Sequence, residues 1–599
     1  MRTESVLSDQ ISKSIRSSET VSPYGPGAIV DILGQSFMVP TGDKWPPARL
    51  RQEVHHDRLA ARLNVQELWA APTTAEPESS KAPGLEFRRF PGWLFCQVCR
   101  RMVKWTISME TAKAPVCPED SCDGRLVPMR FVAVCTENSH LTDVPWSYWM
   151  HRSAEGDCKA ENRLVFRTST GRAEGLSSLV VECGNCGHSR TLGDLRRDVF
   201  AAEGITCNGI QPWESPWGQC GKLLDPQQRG ATSLHFAETF SAIDIPIVAG
   251  RAVKRADEIK AHVFFAALQG APEHLREGLA TQIAEDIGVD VATVFDVAGV
   301  EETGPVDRRA VNSSLQAEEF EAFLAAIDGT APTVAFKTRV EKLPVGEDTV
   351  SDALVTRISD VVLVDRLREV RANIGFRRYR PDAALVEAVP AVPYEKRWLP
   401  AVEGYGEGIF LRLDPGAVCT WAAGPAVQDR AVALVRNQRG SMLGARLHVA
   451  SAEYVLLHTF AHALMRVLAF TSGYPAASLK ERVYCEADGD YGVFVYTTTT
   501  DVEGTLGGLV RQGEANQLLP AVLSALQEAN TCPNDPVCTE SQPQSIDGLN
   551  QAACHACCLA SETSCESQNL LLDRVMLVGG AGVPGFFEPV LETMLGKRV

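Results

Sequence analysis

A cysteine-rich segment near the C-terminus has residue types and spacings that predict chemistry. It runs from Cys532 to Arg574 and reads CPNDPVCTESQPQSIDGLNQAACHACCLASETSCESQNLLLDR. It contains a C-x2-C hook, a cysteine eight residues after that hook and an upstream cysteine behind a Pro-containing turn. Four thiolates at such spacings can converge on one tetrahedral Zn²⁺ ion. We therefore predict a zinc site formed by Cys538, Cys554, Cys557 and Cys565.

The same segment offers additional candidates for this site, namely Cys532, Cys558 and His555. The alternative interpretation is that its cysteines are small buried hydrophobic residues with no metal role.

Two more groups of cysteines lie in the first half of the chain. One combines Cys96-x2-Cys99 with Cys117-x4-Cys122, and the other combines Cys183-x2-Cys186 with Cys207 and Cys220. Paired hooks on hairpin turns are typical of zinc ribbons, so each group predicts one bound zinc ion. The sequence between these two groups contains Cys135, His140, His151 and Cys158. These four residues form either a Cys2His2 metal site or a turn packed under Trp146 and Trp149. The sequence thus predicts three zinc ions with a fourth possible.

An apolar helix is predicted to start near Ala452, and it carries two histidines four residues apart. His458 and His462 share one face, which is the geometry of a two-histidine metal pair. However, HTFAH lacks the Glu that follows the first His in metalloprotease helices. The histidines can equally be hydrogen-bonded core residues. The alternative function, a metal-dependent hydrolase acting on nucleic acid, would use His458, His462, Asp501 and Glu503.

Bulk composition limits the classes of function. The chain has 599 residues, of which 58 are basic and 75 acidic, giving a net charge of −17. This length predicts three or four domains, and the charge argues against a surface that coats nucleic acid. No G-x4-G-K-[ST] loop is present, so we expect no ATP hydrolysis by a P-loop.

The polar N-terminal residues and the cysteine content predict a cytoplasmic protein. The first residues lack the apolar core of a signal peptide, and the 18 cysteines read as metal ligands in a reducing compartment. The most apolar run, Tyr454 to Phe470, is interrupted by histidines and an arginine and is shorter than the roughly 20 residues that span a bilayer. We therefore predict no transmembrane helix and no membrane partner.

The pattern of elements predicts an α+β multidomain chain. It would contain zinc-ribbon-like modules, a helical middle section and a C-terminal mixed α/β zinc-binding domain. Four consecutive regions are expected: an N-terminal segment with a Gly-Pro-Gly turn and linker (1–90), a zinc-ribbon-like region (91–250), a mainly helical region (251–395) and a C-terminal domain (396–599).

Three local features refine this expectation. The segment SDALVTRISDVVLVDRLREVRANIGF is predicted to be an amphipathic helix. Gly404, Gly406 and Gly408 are predicted to form a turn that leads into a strand. A basic end of the helical region is either a solvated face or a docking surface for a phosphate backbone or an acidic partner, and comprises Arg366, Arg368, Arg371, Arg377, Arg378 and Arg380.

Several motifs resemble known families. The pieces LLHTFAHAL, ASLKERVY, GVFVYTTTTDVEGTLGGLV, AACHACCLASETSCE and NLLLDR resemble a helicase-associated domain of unknown function found fused to, or encoded beside, superfamily 2 DNA helicases. The pieces YGPGAIVDI, HLTDVPW and WLPAVEGYGEGIF, together with the two front cysteine hooks, resemble the DrmB family, the non-helicase subunits of the DISARM antiphage defence system.

This resemblance implies partners rather than an active site. DrmB-like proteins work with DrmA, a superfamily 2 helicase, and the pair engages foreign DNA. The family's C-terminal cysteine motif maps onto Cys538, Cys554, Cys557 and Cys565, with Cys558 standing where an aliphatic residue is expected. The resemblance therefore implies a non-catalytic zinc-binding subunit that forms a heterodimer with a helicase and reaches DNA through the complex.

Overall fold

The structure is a computed structural model of the chain, and it mixes helices with strands, which confirms the predicted fold class. It describes residues 15–72, 84–111, 113–152, 158, 163–169, 174–214, 218–246, 258–287, 289, 291–298, 308–330, 333–346, 348–390, 396–485, 489–499, 507–540 and 543–596.

The strands follow in chain order: β1 (Ile29–Ile32), β2 (Gln35–Met38), β3 (Gln52–Glu53), β4 (Glu67–Ala70), β5 (Arg88–Arg89), β6 (Trp93–Cys96), β7 (Met102–Lys104), β8 (Leu126–Pro128), β9 (Phe131–Cys135), β10 (Leu141–Asp143), β11 (Leu164–Thr168), β12 (Leu179–Cys183), β13 (Ser189–Thr191), β14 (Leu224–Gln228), β15 (Phe236–Ile243), β16 (Phe336–Glu341), β17 (Ile358–Arg377), β18 (Val386–Glu387), β19 (Trp398–Leu413), β20 (Leu479–Tyr484) and β21 (Gly492–Thr499).

The α-helices are α1 (Asp57–Arg62), α2 (Trp146–His151), α3 (Arg197–Ala202), α4 (Phe265–Gly270), α5 (Glu273–Ile287), α6 (Val291–Ala298), α7 (Arg308–Ile327), α8 (Thr349–Val355), α9 (Pro415–Ala422), α10 (Pro425–Gly440), α11 (Ala452–Ser472), α12 (Gly508–Gln512), α13 (Ala515–Ala529), α14 (Val537–Glu540), α15 (Arg574–Val578) and α16 (Glu588–Met594).

The chain divides into two compact units, each built from non-consecutive segments. Unit 1 comprises Met1–His55, Gln66–Phe240 and Arg371–Val402, and unit 2 comprises His56–Val65, Ser241–Val370 and Glu403–Val599. The four consecutive regions expected from the sequence describe the order of segments along the chain, and they remain a prediction.

Among the described residues, unit 1 contains small antiparallel sheets, three of which have a central strand that ends in a cysteine. Their strand orders are β1-β2-β5, β7-β6-β8, β10-β9-β14 and β11-β12-β13. Such short strands bury little apolar surface, so small sheets of this kind need another source of stability. Strands β6, β9 and β12 each finish on a cysteine, Cys96, Cys135 and Cys183. Thiolates therefore gather at the ends of the central strands of these three sheets.

A nine-stranded sheet, whose main path has the order β15-β17-β19-β21-β20, carries helix α11 on one face and helix α7 on the other. Side chains alternate between the faces with the period of two that a strand requires. Ile409 and Leu411 of β19 join the apolar core around α11, whereas Phe410 stacks on Phe323 of α7 with ring centroids 4.1 Å apart.

The prediction of a helix over SDALVTRISDVVLVDRLREVRANIGF is wrong for most of this segment. Only α8 is helical, and the chain then forms the twenty-residue strand β17. The cause is a run of β-branched and apolar residues whose alternate members serve different cores, with Leu363 on the α11 side and Val362 and Val364 on the α7 side. Within residues 251–330, helices α4, α5 and α7 occur where helical spacing predicted them, and α6 is a further helix.

The glycine turn predicted at Gly404, Gly406 and Gly408 is also wrong, because all three lie inside the continuous strand β19. These glycines allow close approach of a neighbouring strand. A Cβ on Gly406 would lie 1.6 Å from the Thr497 carbonyl oxygen of β21. The lack of a side chain, and not a turn conformation, is the property that the sheet uses here.

The buried helix α11 begins at Ala452 as predicted. The Ser451 side chain accepts a hydrogen bond from the Tyr454 N–H at its start, and Gly473 ends it with a left-handed φ of 77°. By length and mean hydropathy this helix alone among the described residues could cross a membrane, but 72% of its most apolar stretch is buried inside the protein. It forms the centre of the unit 2 core.

Candidate metal centres

The described residues contain five groups of His, Cys and Glu side chains whose ligand atoms all lie within 4.8 Å of one another. We number them as site 1 (Cys96, Cys99, Cys117, Cys122), site 2 (Cys135, His140, Cys207, Cys220), site 3 (His151, Cys158, Cys183, Cys186), site 4 (Cys532, Cys538, Cys554, Cys557) and site 5 (His458, His462, Glu481, Cys565).

Site 1 brings together the four cysteines that the hook spacing grouped. The Sγ atoms of Cys96 and Cys122 are 3.5 Å apart, and those of Cys99 and Cys117 are 3.6 Å apart. The first hook lies on the turn between β6 and β7. Burial disfavours the Cys96 thiolate, but backbone N–H groups, including that of Val98 at 3.3 Å, outweigh it and lower the Cys96 pKa to about 7.

The structure groups the next eight predicted ligands differently from the sequence analysis. Cys183 and Cys186 do not meet Cys207 and Cys220, and no Cys2His2 set forms from Cys135, His140, His151 and Cys158. The reason is strand pairing. Strand β14 runs antiparallel to β9 with Leu224 opposite Cys135, so Cys220 arrives beside Cys135. The two proposed sets therefore exchange members to give sites 2 and 3.

Site 2 contains three cysteines and one histidine. The Sγ atoms of Cys135 and Cys220 are 3.8 Å apart, and Cys207 Sγ is 3.4 Å from His140 Nδ1. A hydrogen bond from Cys207 is the main cause of a strongly lowered Cys135 pKa. Thiolates favoured in this way are the form that binds metal.

Site 3 has the same composition and shows one unsatisfied ligand atom. Cys158 Sγ is 3.9 Å from Cys183 Sγ, and the ring of His151 lies at the end of α2. His151 Nδ1 donates to the Ser147 carbonyl at 2.8 Å, while its buried Nε2 has no hydrogen-bond partner among the described residues. An imidazole held through Nδ1 with an unused Nε2 is suited to metal ligation.

Site 4 differs from the predicted C-terminal set by one residue. Cys532 takes the place of Cys565, with Sγ–Sγ distances of 3.5 Å from Cys532 to Cys554 and 3.8 Å from Cys538 to Cys557. The turn Cys532–Asp535 and the helix α14 bring Cys532 and Cys538 together, an arrangement that the separation of six residues does not reveal.

The remaining candidates of this segment lie outside site 4. The Cys558 thiol points to the Ala552 carbonyl at 4.0 Å, and His555 is exposed. Of the two adjacent cysteines, the structure therefore places Cys557 and not Cys558 in the group.

Sites 2, 3 and 4 each have their own asparagine, which contacts two sulfur atoms of the site. In site 4 the Asn534 N–H lies 3.4 Å from Cys532 Sγ and its side-chain amide lies 3.4 Å from Cys554 Sγ. Asn138 and Asn185 make the same two contacts in sites 2 and 3. N–H donors aimed at sulfur stabilise thiolates, so these asparagines form an outer shell around the ligands.

Site 5 is wholly buried in unit 2. His458 and His462 project from α11, Glu481 from β20, and Cys565 from the C-terminal segment. Glu481 was missed by the sequence analysis, although its position between the apolar residues Leu479 and Val483 on one face of the strand was an available signal. Asp501 and Glu503, the partners proposed for the histidines, lie outside the described residues.

Burial shapes the chemistry of site 5. It opposes the charge on Glu481, but the two histidines outweigh that penalty and hold the Glu481 pKa well below its usual range. Burial raises the pKa of the Cys565 thiol well above its usual range, so a thiolate there needs a compensating cation.

Three of the arginines from Arg366 to Arg380 do not contribute to a solvated basic face. Arg368 pairs with Asp244 and Glu403 at 2.8 and 2.7 Å, and Arg377 pairs with Glu238 at 3.1 Å. Arg378 is fully buried and donates to the Leu234 and Gly27 carbonyls, and burial lowers its pKa to about 9. These three side chains are used inside their own units.

Comparison with known proteins places these groups in a family. Residues 16–236 match a domain of unknown function (DUF8724), and residues 460–558 match the MrfA Zn-binding domain. The DISARM protein DrmB of Bacillus paralicheniformis is 32% identical over 532 residues, covering 84% of this chain and 90% of the relative. The chain belongs to the DrmB family.

The match to the Zn-binding domain bears on two sites of this DrmB family member. It includes all four cysteines of site 4, and His462 and Glu481 of site 5, but ends before Cys565 and starts after His458. Together with the four-cysteine groups, it identifies zinc as the cofactor.

Proposed function

We propose that this DrmB family protein is a non-catalytic, zinc-stabilised subunit of a cytoplasmic antiphage defence complex. In this role it partners a superfamily 2 helicase of the DrmA type, which supplies the ATP-driven motor. It contributes to DNA engagement as part of that complex. The observation that carries the proposal is the similarity to the DISARM protein DrmB over most of both chains.

The composition of the metal groups supports a structural role for zinc. Sites 1 to 4 each offer four Cys or His ligands, which is the number that saturates structural zinc, whereas catalytic zinc keeps one position open for water. The printed sequence also lacks a P-loop, so the motor has to come from another chain.

The hydrolase alternative is disfavoured by the surroundings of the histidine pair. His458 and His462 have 0% exposure and Glu481 has 1%, so a nucleic-acid substrate has no access to them. A hydrolytic metal also needs a bound water, and four protein side chains already surround this position.

A cavity in unit 1 is our candidate for contact with a DNA phosphate. It is lined by Thr136, Glu137, Arg197, Tyr379 and Arg380. Arg197 lies 3.2 Å from the Tyr379 hydroxyl, and Thr136 directly follows the site 2 ligand Cys135. Of the arginines that the sequence singled out, Arg380 is the one placed here. For a protein of charge −17, contact with DNA has to come from such a local feature or from a partner.

Co-expression with a DrmA-type helicase tests the partnership. We expect the two chains to elute together in size-exclusion chromatography at micromolar concentration, with no ATP turnover by this chain alone. Separate elution, or ATP hydrolysis by this chain alone, would contradict the proposal.

The cavity is tested separately in the assembled complex. The double variant Arg197→Ala/Arg380→Ala should weaken DNA binding about tenfold and reduce its salt dependence, because phosphate contacts are lost. Arg196→Ala is the matched control, since Arg196 is an exposed neighbour that pairs with Asp198 and does not line the cavity. Equal DNA affinity of the double variant and the control would exclude this cavity.

A further inference from the structure

Site 5 brings four potential metal ligands from three distant segments to one buried point. His458 Nε2 lies 2.9 Å from Glu481 Oε1 and 3.2 Å from Cys565 Sγ. His462 Nε2 lies 3.3 Å from the same Glu481 oxygen. Both imidazole rings therefore present the same nitrogen to one carboxylate and one sulfur.

The opposite nitrogen of each ring faces a backbone carbonyl. His458 Nδ1 lies 3.3 Å from the Leu571 oxygen, and His462 Nδ1 lies 2.8 Å from the Cys558 oxygen. A carbonyl oxygen can only accept, so each Nδ1 carries the hydrogen that is donated. A neutral ring held in this way directs the lone pair of Nε2 towards Glu481 and Cys565.

Direct hydrogen bonds do not satisfy this arrangement. Two lone pairs would face a carboxylate oxygen, unless both rings were cationic and two buried positive charges shared one carboxylate. The second oxygen, Glu481 Oε2, is buried and has no hydrogen-bond partner among the described residues. A divalent cation resolves both problems, because its two positive charges balance one carboxylate and one thiolate while both imidazoles stay neutral.

We propose that His458, His462, Glu481 and Cys565 bind a zinc ion that is separate from the four cysteine-rich sites. Zinc accepts nitrogen, oxygen and sulfur ligands together, and tetrahedral zinc with bonds of about 2.0–2.3 Å spaces its ligand atoms by roughly 3.3–3.8 Å. The observed group, with all ligand atoms within 4.8 Å, fits that size. Each histidine also has the carbonyl partner that usually orients a metal-bound imidazole.

The ion would be structural, since four protein ligands fill a tetrahedral shell. It would join helix α11 and strand β20 to the C-terminal segment. That segment also supplies Cys554 and Cys557 of site 4, and Cys558, whose carbonyl receives the His462 hydrogen bond, directly follows Cys557. The buried zinc would thus anchor the segment that carries site 4 to the core of unit 2.

Zinc content of the full-length chain, purified without added metal and measured by inductively coupled plasma mass spectrometry, tests the proposal. We expect five zinc ions per chain. Cys565→Ala should retain four, while Cys558→Ala, which removes a neighbouring buried thiol outside every site, should retain five. Equal zinc content in the two variants would overturn the proposal.

A measurement on the wild-type protein covers the case in which Cys565→Ala does not fold. An anomalous difference map recorded on both sides of the zinc absorption edge should show a peak between His458 Nε2 and Cys565 Sγ. Peaks at sites 1 to 4 with none at this position would overturn the proposal. Neither measurement depends on the helicase partnership.

Discussion

Cys135 and Cys220 are separated by 85 residues in the sequence, yet their Sγ atoms lie 3.8 Å apart. The contact arises because Cys135 ends strand β9 and Cys220 precedes the paired strand β14. It separates Cys220 from the Cys183 hook to which simple spacing assigned it. The assignment of ligands to sites 2 and 3 follows from this relationship.

Zinc counting in double variants tests that assignment. Cys183→Ser/Cys207→Ser should lose two zinc ions per chain, because these residues belong to different sites. Cys158→Ser/Cys183→Ser should lose only one, because both belong to site 3. Mass-spectrometric zinc analysis of the soluble proteins gives the counts. Loss of a single zinc from the Cys183/Cys207 pair would restore the grouping predicted from spacing.

The asparagine next to site 4 should tune its zinc affinity. Asn534→Ala removes the amide N–H that faces Cys554, and we expect about a tenfold loss of zinc affinity because outer-shell donors stabilise bound thiolates. Chelator competition with a chromogenic zinc indicator should show one equivalent released at about tenfold lower chelator concentration. The control Asn530→Ala removes an exposed amide four residues earlier, and the prediction is wrong if the two release curves coincide.

A buried histidine in unit 1 should make stability depend on pH. Burial, followed by the nearby Arg378, lowers the His235 pKa to about 3, and its Nε2 donates to the Pro26 carbonyl at 3.1 Å. Between pH 3 and the ordinary value of about 6.5 the unfolded chain binds a proton that the folded chain does not. The neutral His235 side chain therefore makes its full contribution to the free energy of unfolding above about pH 6.5. Below that pH the free energy of unfolding falls by about 1.4 kcal/mol per pH unit.

Thermal denaturation from pH 7 to pH 5 measures this effect. His235→Gln should show a shallower fall in Tm on acidification than the wild type, whereas His555→Gln, which changes an exposed histidine, should follow the wild type. Parallel curves for wild type and His235→Gln would rule out a contribution from His235.

Gly406 should not tolerate a side chain. The Cβ of Gly406→Ala would lie 1.6 Å from a backbone oxygen of β21, so strands β19 and β21 have to separate, and we expect a loss of about 3 kcal/mol. The control Gly440→Ala, at the end of α10 with no atom within 4 Å of its Cβ position, should stay within about 1 kcal/mol of wild type. Chemical denaturation compares the two, and similar stabilities would argue against the close strand approach.

Patterns that depend on neighbouring residues were predictable from the sequence. The buried helix from Ala452 and the four members of site 1 follow from local periodicity or short spacing. The segment from Ile358 to Arg377 was misread, because apolar residues with arginines and aspartates between them satisfy a helical pattern as well as a strand pattern. Only the two cores on either side of β17 decide between them.

The sequence by itself determined that cysteines and histidines occur at zinc-binding spacings, that no P-loop is present and that the chain resembles the DrmB family. Tertiary structure decided which ligands share an ion. Residue spacing reports contacts only within a turn or a hairpin, whereas Cys135 meets Cys220 through strand pairing. Glu481 meets the histidine pair through the packing of α11 on β20, and Cys565 meets it through the C-terminal segment, where the Ser564 carbonyl accepts a hydrogen bond from the Glu481 N–H. Contacts of that kind depend on which elements pack together, and the distance along the chain does not contain that information.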